Sequence, residues 1–237
     1  MDLGALAGGA FVALVPLLFG VFVVIAFFYE RRLRERHRAF ATAIGWDYAP
    51  RAPHLVGRWQ GAPFDVGHSK RVTHLFTGDF EGRPAACFQY QYTTGSGKSS
   101  STTVLTVCML HLPAALPVLE ITREGLGARI AKVFGAQDVQ FESEEFNRRW
   151  RVAGSSPRTT HDLVHPRAME YLNAGPDDPL RIEGADVWTW HHGGIRTEAL
   201  HGRLARLAGF VDLVPRHVWL DHGYDPGTGA ARAPGKE

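Results

Sequence analysis

The run Gly95-Ser-Gly-Lys-Ser-Ser100 is the first stretch whose residue types suggest chemistry, because it resembles the end of a phosphate-binding loop. The full pattern needs a glycine five residues before Gly97, and Tyr92 stands there. Such a loop must also open a helix, whose free N–H groups and dipole hold the phosphate. The next residues are instead TTVLTVCML, β-branched and strand-like. The run is predicted to be a hairpin loop, and no nucleotide or other cofactor is expected.

Twelve histidines raise a metal site next. His161 and His165 are four apart, so a helix would put both on one face. No HExxH accompanies them, and Pro166 restarts the chain beside His165. His191 and His192 are neighbours after a strand and point to opposite faces. Cys87 and Cys108 lie in no CxxC or metal-ligand spacing, and a reducing compartment keeps them as thiols. A GxSxG nucleophile elbow is lacking. Glu144-Glu145 and Asp177-Asp178 read as a helix start and a turn, and Trp188 and Trp190 as one buried strand face. No catalytic, cofactor-binding or metal-ligating residue is assigned. An enzyme, a membrane-bound hydrolase using histidines of 161–192, stays as the alternative, and it requires His161, His165, His191 and His192 to converge.

The elements that would position these residues begin with an apolar run, Phe11 to Tyr29, nineteen residues without a charge. As a helix it spans about 28 Å, close to a ~30 Å hydrocarbon core. A cleaved signal peptide wants positive charge before the run, and only Asp2 precedes it. A transmembrane helix and a single-pass membrane protein are therefore expected. Arg31, Arg32, Arg34, Arg36 and Arg38 come directly after it, which predicts the amino terminus outside and a cytoplasmic domain. These five form a lipid-facing basic collar, the ground for a second alternative, an anionic-lipid-sensing module. Residues 30–58 hold seven Arg against Glu30, Glu35 and Asp47, whereas the whole chain is only +2. The basic excess is thus local, which argues against nucleic acid as a partner. The expected partners are the lipid bilayer and an unidentified membrane protein.

Beyond Trp46 the pattern changes to strands: 64–68, 72–80, 84–92, 103–112 and 118–122. If 93–102 close a symmetric loop, partner numbers sum to about 195. Phe88 then faces Val107, Tyr90 faces Leu105, and Cys87 faces Cys108. A one-residue slip would set the aromatic face against Thr106 and Cys108, so the alternation selects this register. Residues 122–134 are predicted helical with Thr122 as cap, and 138–143 a short strand. Ser143 caps the next helix, a strand lies near 150–152, and helices start at Ser156-Pro157 and Pro166. PLRIEGADVWTWHH predicts a second hairpin turning at 183–186. Thr197 opens a last helix with Leu200, Leu204, Leu207, Ala208 and Val211 inward.

The expected fold class is α+β: an N-terminal transmembrane helix followed by antiparallel β-hairpins with packed helices. The domains read as 1–29 (outer terminus and span), 30–45 (basic juxtamembrane helix), 46–220 (cytoplasmic domain, with a sub-boundary near 122–137) and 221–237 (disordered tail).

EEFNRRWRV, PRTTHDLVHPRAMEYL and RIEG, with the amino-terminal run and the YQYTTGSGK hairpin, resemble a family of uncharacterised bacterial single-pass membrane proteins, a domain of unknown function. The resemblance implies an anchored domain and brings no activity or catalytic residue. The function expected is a non-catalytic binding or scaffold module.

Overall fold

A computed structural model of the chain describes residues 3–124 and 137–231, with side chains of the first helix described from Phe19 onward. Two compact units result, Met1–Gly45 and Trp46–Glu237. The first is one helix, α1 (Leu3–Ala43), which Gly45 ends at φ 72°.

The expected transmembrane helix is corrected here. Among the described residues no helix is long and apolar enough to cross a membrane. Along the part of α1 whose side chains are described, apolar residues run to Tyr29. Glu30 and Arg31 then interrupt them. The reading as a single-pass membrane protein, amino terminus outside and domain cytoplasmic, falls with the span.

The second unit is an antiparallel sheet with short helices, an α+β fold. In chain order come β1 (Asp47–Arg51), β2 (His68–Phe80), β3 (Arg83–Thr94) and the long β4 (Ser101–Arg123). Next are β5 (Gln137–Val139), α2 (Glu144–Arg149), β6 (Trp150–Gly154), α3 (Pro157–Leu163) and α4 (Pro166–Ala174). The chain continues with β7 (Leu180–His192), α5 (Thr197–Asp212), α6 (Arg216–Asp221), β8 (Tyr224–Asp225) and β9 (Ala230–Ala231). Seven strands make the main sheet in the order β1-β2-β3-β4-β6-β5, with β7 also paired to β4.

β3 and β4 pair in the predicted register: Phe88 with Val107, Tyr90 with Leu105, Cys87 with Cys108. The loop between them is a single 3-10 turn, Gly97–Ser99, leading into strand as expected. Phe88, Tyr90, Leu105, Val107, Trp188 and Trp190 form one buried face, under Trp59 and Phe64 of the preceding loop. Trp59 stacks on Phe88 at 5.7 Å, and Phe64 meets Trp188 edge-on at 5.7 Å. Such aromatic pairs add ~0.5–1.5 kcal/mol each beyond area burial. α5 packs on β4 and β7, and its predicted inward residues Leu200, Leu204, Leu207, Ala208 and Val211 are all buried.

Ser143 and Ser156 cap α2 and α3 as predicted, accepting from Phe146 N at 3.2 Å and Thr159 N at 3.4 Å. Residues 64–68, predicted as strand, are turns until His68, where β2 begins. The predicted strands 103–112 and 118–122 are one strand, β4, continued through Pro113 and Pro117. Prolines lack the N–H a ladder needs and fall at irregularities, where register shifts lie here. The predicted hairpin at 183–186 is also absent as a turn: β7 runs through it, with Gly184 at φ 60°. Of the helix predicted over 122–134, Thr122 and Arg123 belong to β4, and residues 125–134 lie outside the described residues. In the stretch expected to be a disordered tail, β8 and β9 form a small hairpin.

Candidate functional site

The irregular middle of β4 and Gly184 of β7 have one consequence, which is that the β4–β7 ribbon bends back on itself. His111 pairs with Asp186, Leu116 with Gly184 and Leu119 with Ile182, so β4 spends more residues than β7 across the bend. Extra residues in one strand bend it and raise its twist. The curvature is measurable from the ends. Asp178 and His191 flank the two ends of β7, about 43 Å apart in a straight strand at ~3.3 Å per residue. Yet His191 Nδ1 lies 3.2 Å from Asp178 Oδ1. Leu105 and Thr122, from opposite ends of β4, likewise line one cavity of about 500 Å³.

That cavity is a cleft with an apolar wall and a polar rim. Tyr92, Leu105, Trp190, Ala62, Pro63 and Val66 supply the wall. Arg123, Asp177, Asp178, His191, His192 and the threonines Thr94, Thr103 and Thr122 supply the rim. Several contacts hold it in shape. Tyr90 donates to Phe64 O at 3.0 Å, fixing the loop that carries Ala62 and Val66. Burial, then Asp65 and Tyr92 nearby, pushes the Tyr90 phenol up to about 12, so it stays a donor. On the far side Arg149 Nε donates to Asp177 Oδ1 at 2.8 Å and Nη2 to Gly175 O at 2.7 Å. Arg123 Nη1 approaches the other Asp177 oxygen at 3.3 Å. The rim charges therefore offset one another.

A second cavity, of about 600 Å³, lies on the other side of β7. Thr189, which alternates with Trp188 and Trp190, lines it together with Ala199, Gly202, Arg203 and Arg206 of α5. Asp178 and His191 line both cavities.

A buried ion cluster braces the bend. Arg181 on β7 pairs with Glu120, its register partner on β4, and with Glu183 at 3.0 Å. Burial raises the Glu120 carboxyl above its ordinary value even though Arg181 pulls it down. At the edge of the sheet Asp186 accepts from Trp59 Nε1 at 3.0 Å and lies 3.0 Å from His111 Nδ1.

The histidines considered for catalysis do not converge. His161 packs edge-on against Phe141 at 5.0 Å, and His165 Nε2 donates to Leu213 O at 2.9 Å; only His191 and His192 reach the cleft. Among the described residues no group of three or more His, Cys, Asp and Glu is placed to hold a metal ion. Cys87 and Cys108 are buried free thiols, and burial pushes the Cys87 thiol up. Of the collar, Arg31 pairs with Glu35 at 3.1 Å and Arg34 with Glu30 at 2.9 Å; Arg32, Arg36 and Arg38 are exposed on the same helix. The cleft itself escapes sequence reasoning. Its traces there are Asp177-Asp178-Pro179 and Trp190-His191-His192, the two flanks of one strand, which separately read as a turn and a strand end.

Fold and cleft define a class: an α+β module whose curled antiparallel ribbon closes on an amphipathic cleft. The chain is similar to a solved structure, the mycobacterial trehalose monomycolate transport factor A, TtfA, at TM-score 0.57 and 17% identity. The match covers 77% of this chain and 94% of that one, and at that identity it shows a shared fold. No family model matches the chain, and no curated protein matches it.

Proposed function

We propose that residues 46–231 are a non-catalytic binding module, whose ligand is a small molecule with an apolar part seated in the cleft against Tyr92, Leu105 and Trp190. The observation that carries this reading is the cleft: an apolar wall at the mouth of a strand ribbon, rimmed by charges already engaged with one another. Ligand sites are commonly concave and mostly apolar, with a few polar groups that fix orientation. A catalytic reading asks for a nucleophile held by a base, and that base by a third group. The cleft offers threonines, and its one His–Asp contact bridges the ends of β7. The fold is shared with a factor named for transport and not for a reaction, which is in keeping with an accessory role.

The test is titration of the full-length chain with N-phenyl-1-naphthylamine, an uncharged probe that brightens in apolar surroundings. Thr103 is half-buried at the rim, so Thr103→Trp fills the cleft without entering the core. We expect saturable binding that Thr103→Trp abolishes, with an unchanged far-ultraviolet spectrum. Binding that Thr103→Trp leaves intact, or no saturable binding, overturns the reading.

A further inference from the structure

We propose that the second cavity, lined by Thr189, Arg203 and Arg206, seats an oxyanion, the anionic end of an amphiphile whose apolar part lies in the cleft. The proposal rests on the cleft reading above. Three observations carry it.

The first is charge. Arg203 and Arg206 stand three apart on α5, hence on one face of the helix. Among the described residues Arg203 has no ion pair, and Arg206 donates only weakly, to Leu172 O at 3.5 Å. Asp178 is the carboxylate that lines the same cavity, and it faces His191. Two guanidiniums against one lining carboxylate leave an excess of positive charge, which Asp178 and the neighbouring Asp177 reduce at Arg206 and leave at Arg203. Guanidinium forks suit the oxygens of phosphate and carboxylate.

The second is an unmet hydroxyl. Thr189 is 4% exposed, lines this cavity, and its Oγ1 has no hydrogen-bond partner. Buried polar atoms are nearly always satisfied, and an orphaned one points to a missing partner. An oxyanion accepts from a hydroxyl, so one held by the guanidiniums would meet this need once Thr189 turns Oγ1, which presents almost no accessible surface, toward it.

The third is room and continuity. Ala199, Gly202 and Ala205 keep this face of α5 low, and a Cβ at Gly202 would meet nothing within 4 Å. Asp178 and His191 line both cavities, so the apolar wall and the guanidiniums flank the same pair of residues.

The experiment displaces the naphthylamine probe from the full-length chain with 1-octanol, octyl phosphate or inorganic phosphate, and measures inorganic phosphate binding separately by calorimetry. We expect octyl phosphate to displace at a concentration at least tenfold below octanol, with inorganic phosphate displacing nothing and binding far more weakly. Arg203→Gln should bring the two alkyl compounds within about twofold while leaving probe binding unchanged. Thr189→Val should remove a smaller part of the phosphate advantage. Probe binding without a phosphate advantage, or an advantage that Arg203→Gln leaves intact, overturns the anionic site and spares the cleft reading. Inorganic phosphate binding as tightly as octyl phosphate makes the ligand a free oxyanion and overturns the amphiphile. Absence of probe binding overturns both.

Discussion

Replacing Arg181 by methionine tests what holds the ribbon bent. Arg181 is 1% exposed, pairs with Glu120 and Glu183, and sets its guanidinium 5.9 Å from the Trp188 ring. Methionine keeps most of the stem but leaves Glu120, itself 8% exposed, without its paired cation and with only the weaker pull of Arg151. Removing one partner of a buried pair costs ~3–5 kcal/mol, most of it the penalty of an uncompensated charge. The lost contact with Trp188 adds ~0.5–1 kcal/mol. Glu120 can relieve part of this by taking a proton, and that sets the direction with pH. Burial already raises its carboxyl, and Arg181 is the largest influence lowering it. In Arg181→Met the folded state therefore holds a proton that the unfolded chain releases above the ordinary carboxylate range. The stability this group allows is present at low pH and is lost as pH rises through the raised value. Each further unit of rise corresponds to ~1.4 kcal/mol. Urea unfolding followed by tryptophan fluorescence should give a deficit of ~3–5 kcal/mol at pH 7.5 and a clearly smaller one at pH 5. Adding Glu120→Gln should recover part of the loss at pH 7.5, since no buried charge then remains at that position. A deficit below ~1 kcal/mol, or one equal at both pH values, refutes the reasoning.

Other outcomes rest on single contacts. Ser143→Ala and Ser156→Ala should each cost ~1 kcal/mol in the same assay, because each hydroxyl accepts from a helix amide. Gly202→Ala should stabilise by ~0.5–1 kcal/mol, since Gly202 lies inside α5 with open space where the methyl would stand. Cys87 and Cys108 should stay unreactive to a thiol reagent at pH 8 in the native chain and react on unfolding, both being buried and Cys87 shifted up. Ultraviolet titration should find one tyrosine ionising near 12. Because that phenol is raised on folding, stability should fall as pH climbs from the ordinary tyrosine range towards that value.

The parts of the fold legible in the sequence are those written in local pattern. The β3–β4 register is set by strict alternation of Phe88, Tyr90 and Tyr92 against Leu105, Val107 and Met109, because a slip by one exposes a whole face. The caps at Ser143 and Ser156, the start at Pro166 and the buried stripe of α5 depend on residue types whose chemistry acts within one helical turn. The apolar run of α1 misleads in the opposite way. Counted from Phe11 it is long enough for a span, yet among the described residues no helix is long and apolar enough to cross a membrane.

The cleft is illegible for a different reason, which the two prolines and Gly184 make plain. Read locally, Pro113 and Pro117 break a strand, and Glu183-Gly184 makes a turn. Those readings hold only if nothing pairs across the gap. Here β4 and β7 each meet the irregularity at the same level, so a break in one faces a break in the other and the ladder resumes with a shifted register. Two local weaknesses placed opposite one another become a shared bend, and the bend carries Asp178 to His191. Opposition of that kind is a property of the pair and is invisible in either segment alone. The same holds for the guanidiniums of α5: Arg203 and Arg206 share one helix face, and only the tertiary fold sets Thr189 of β7 beside them.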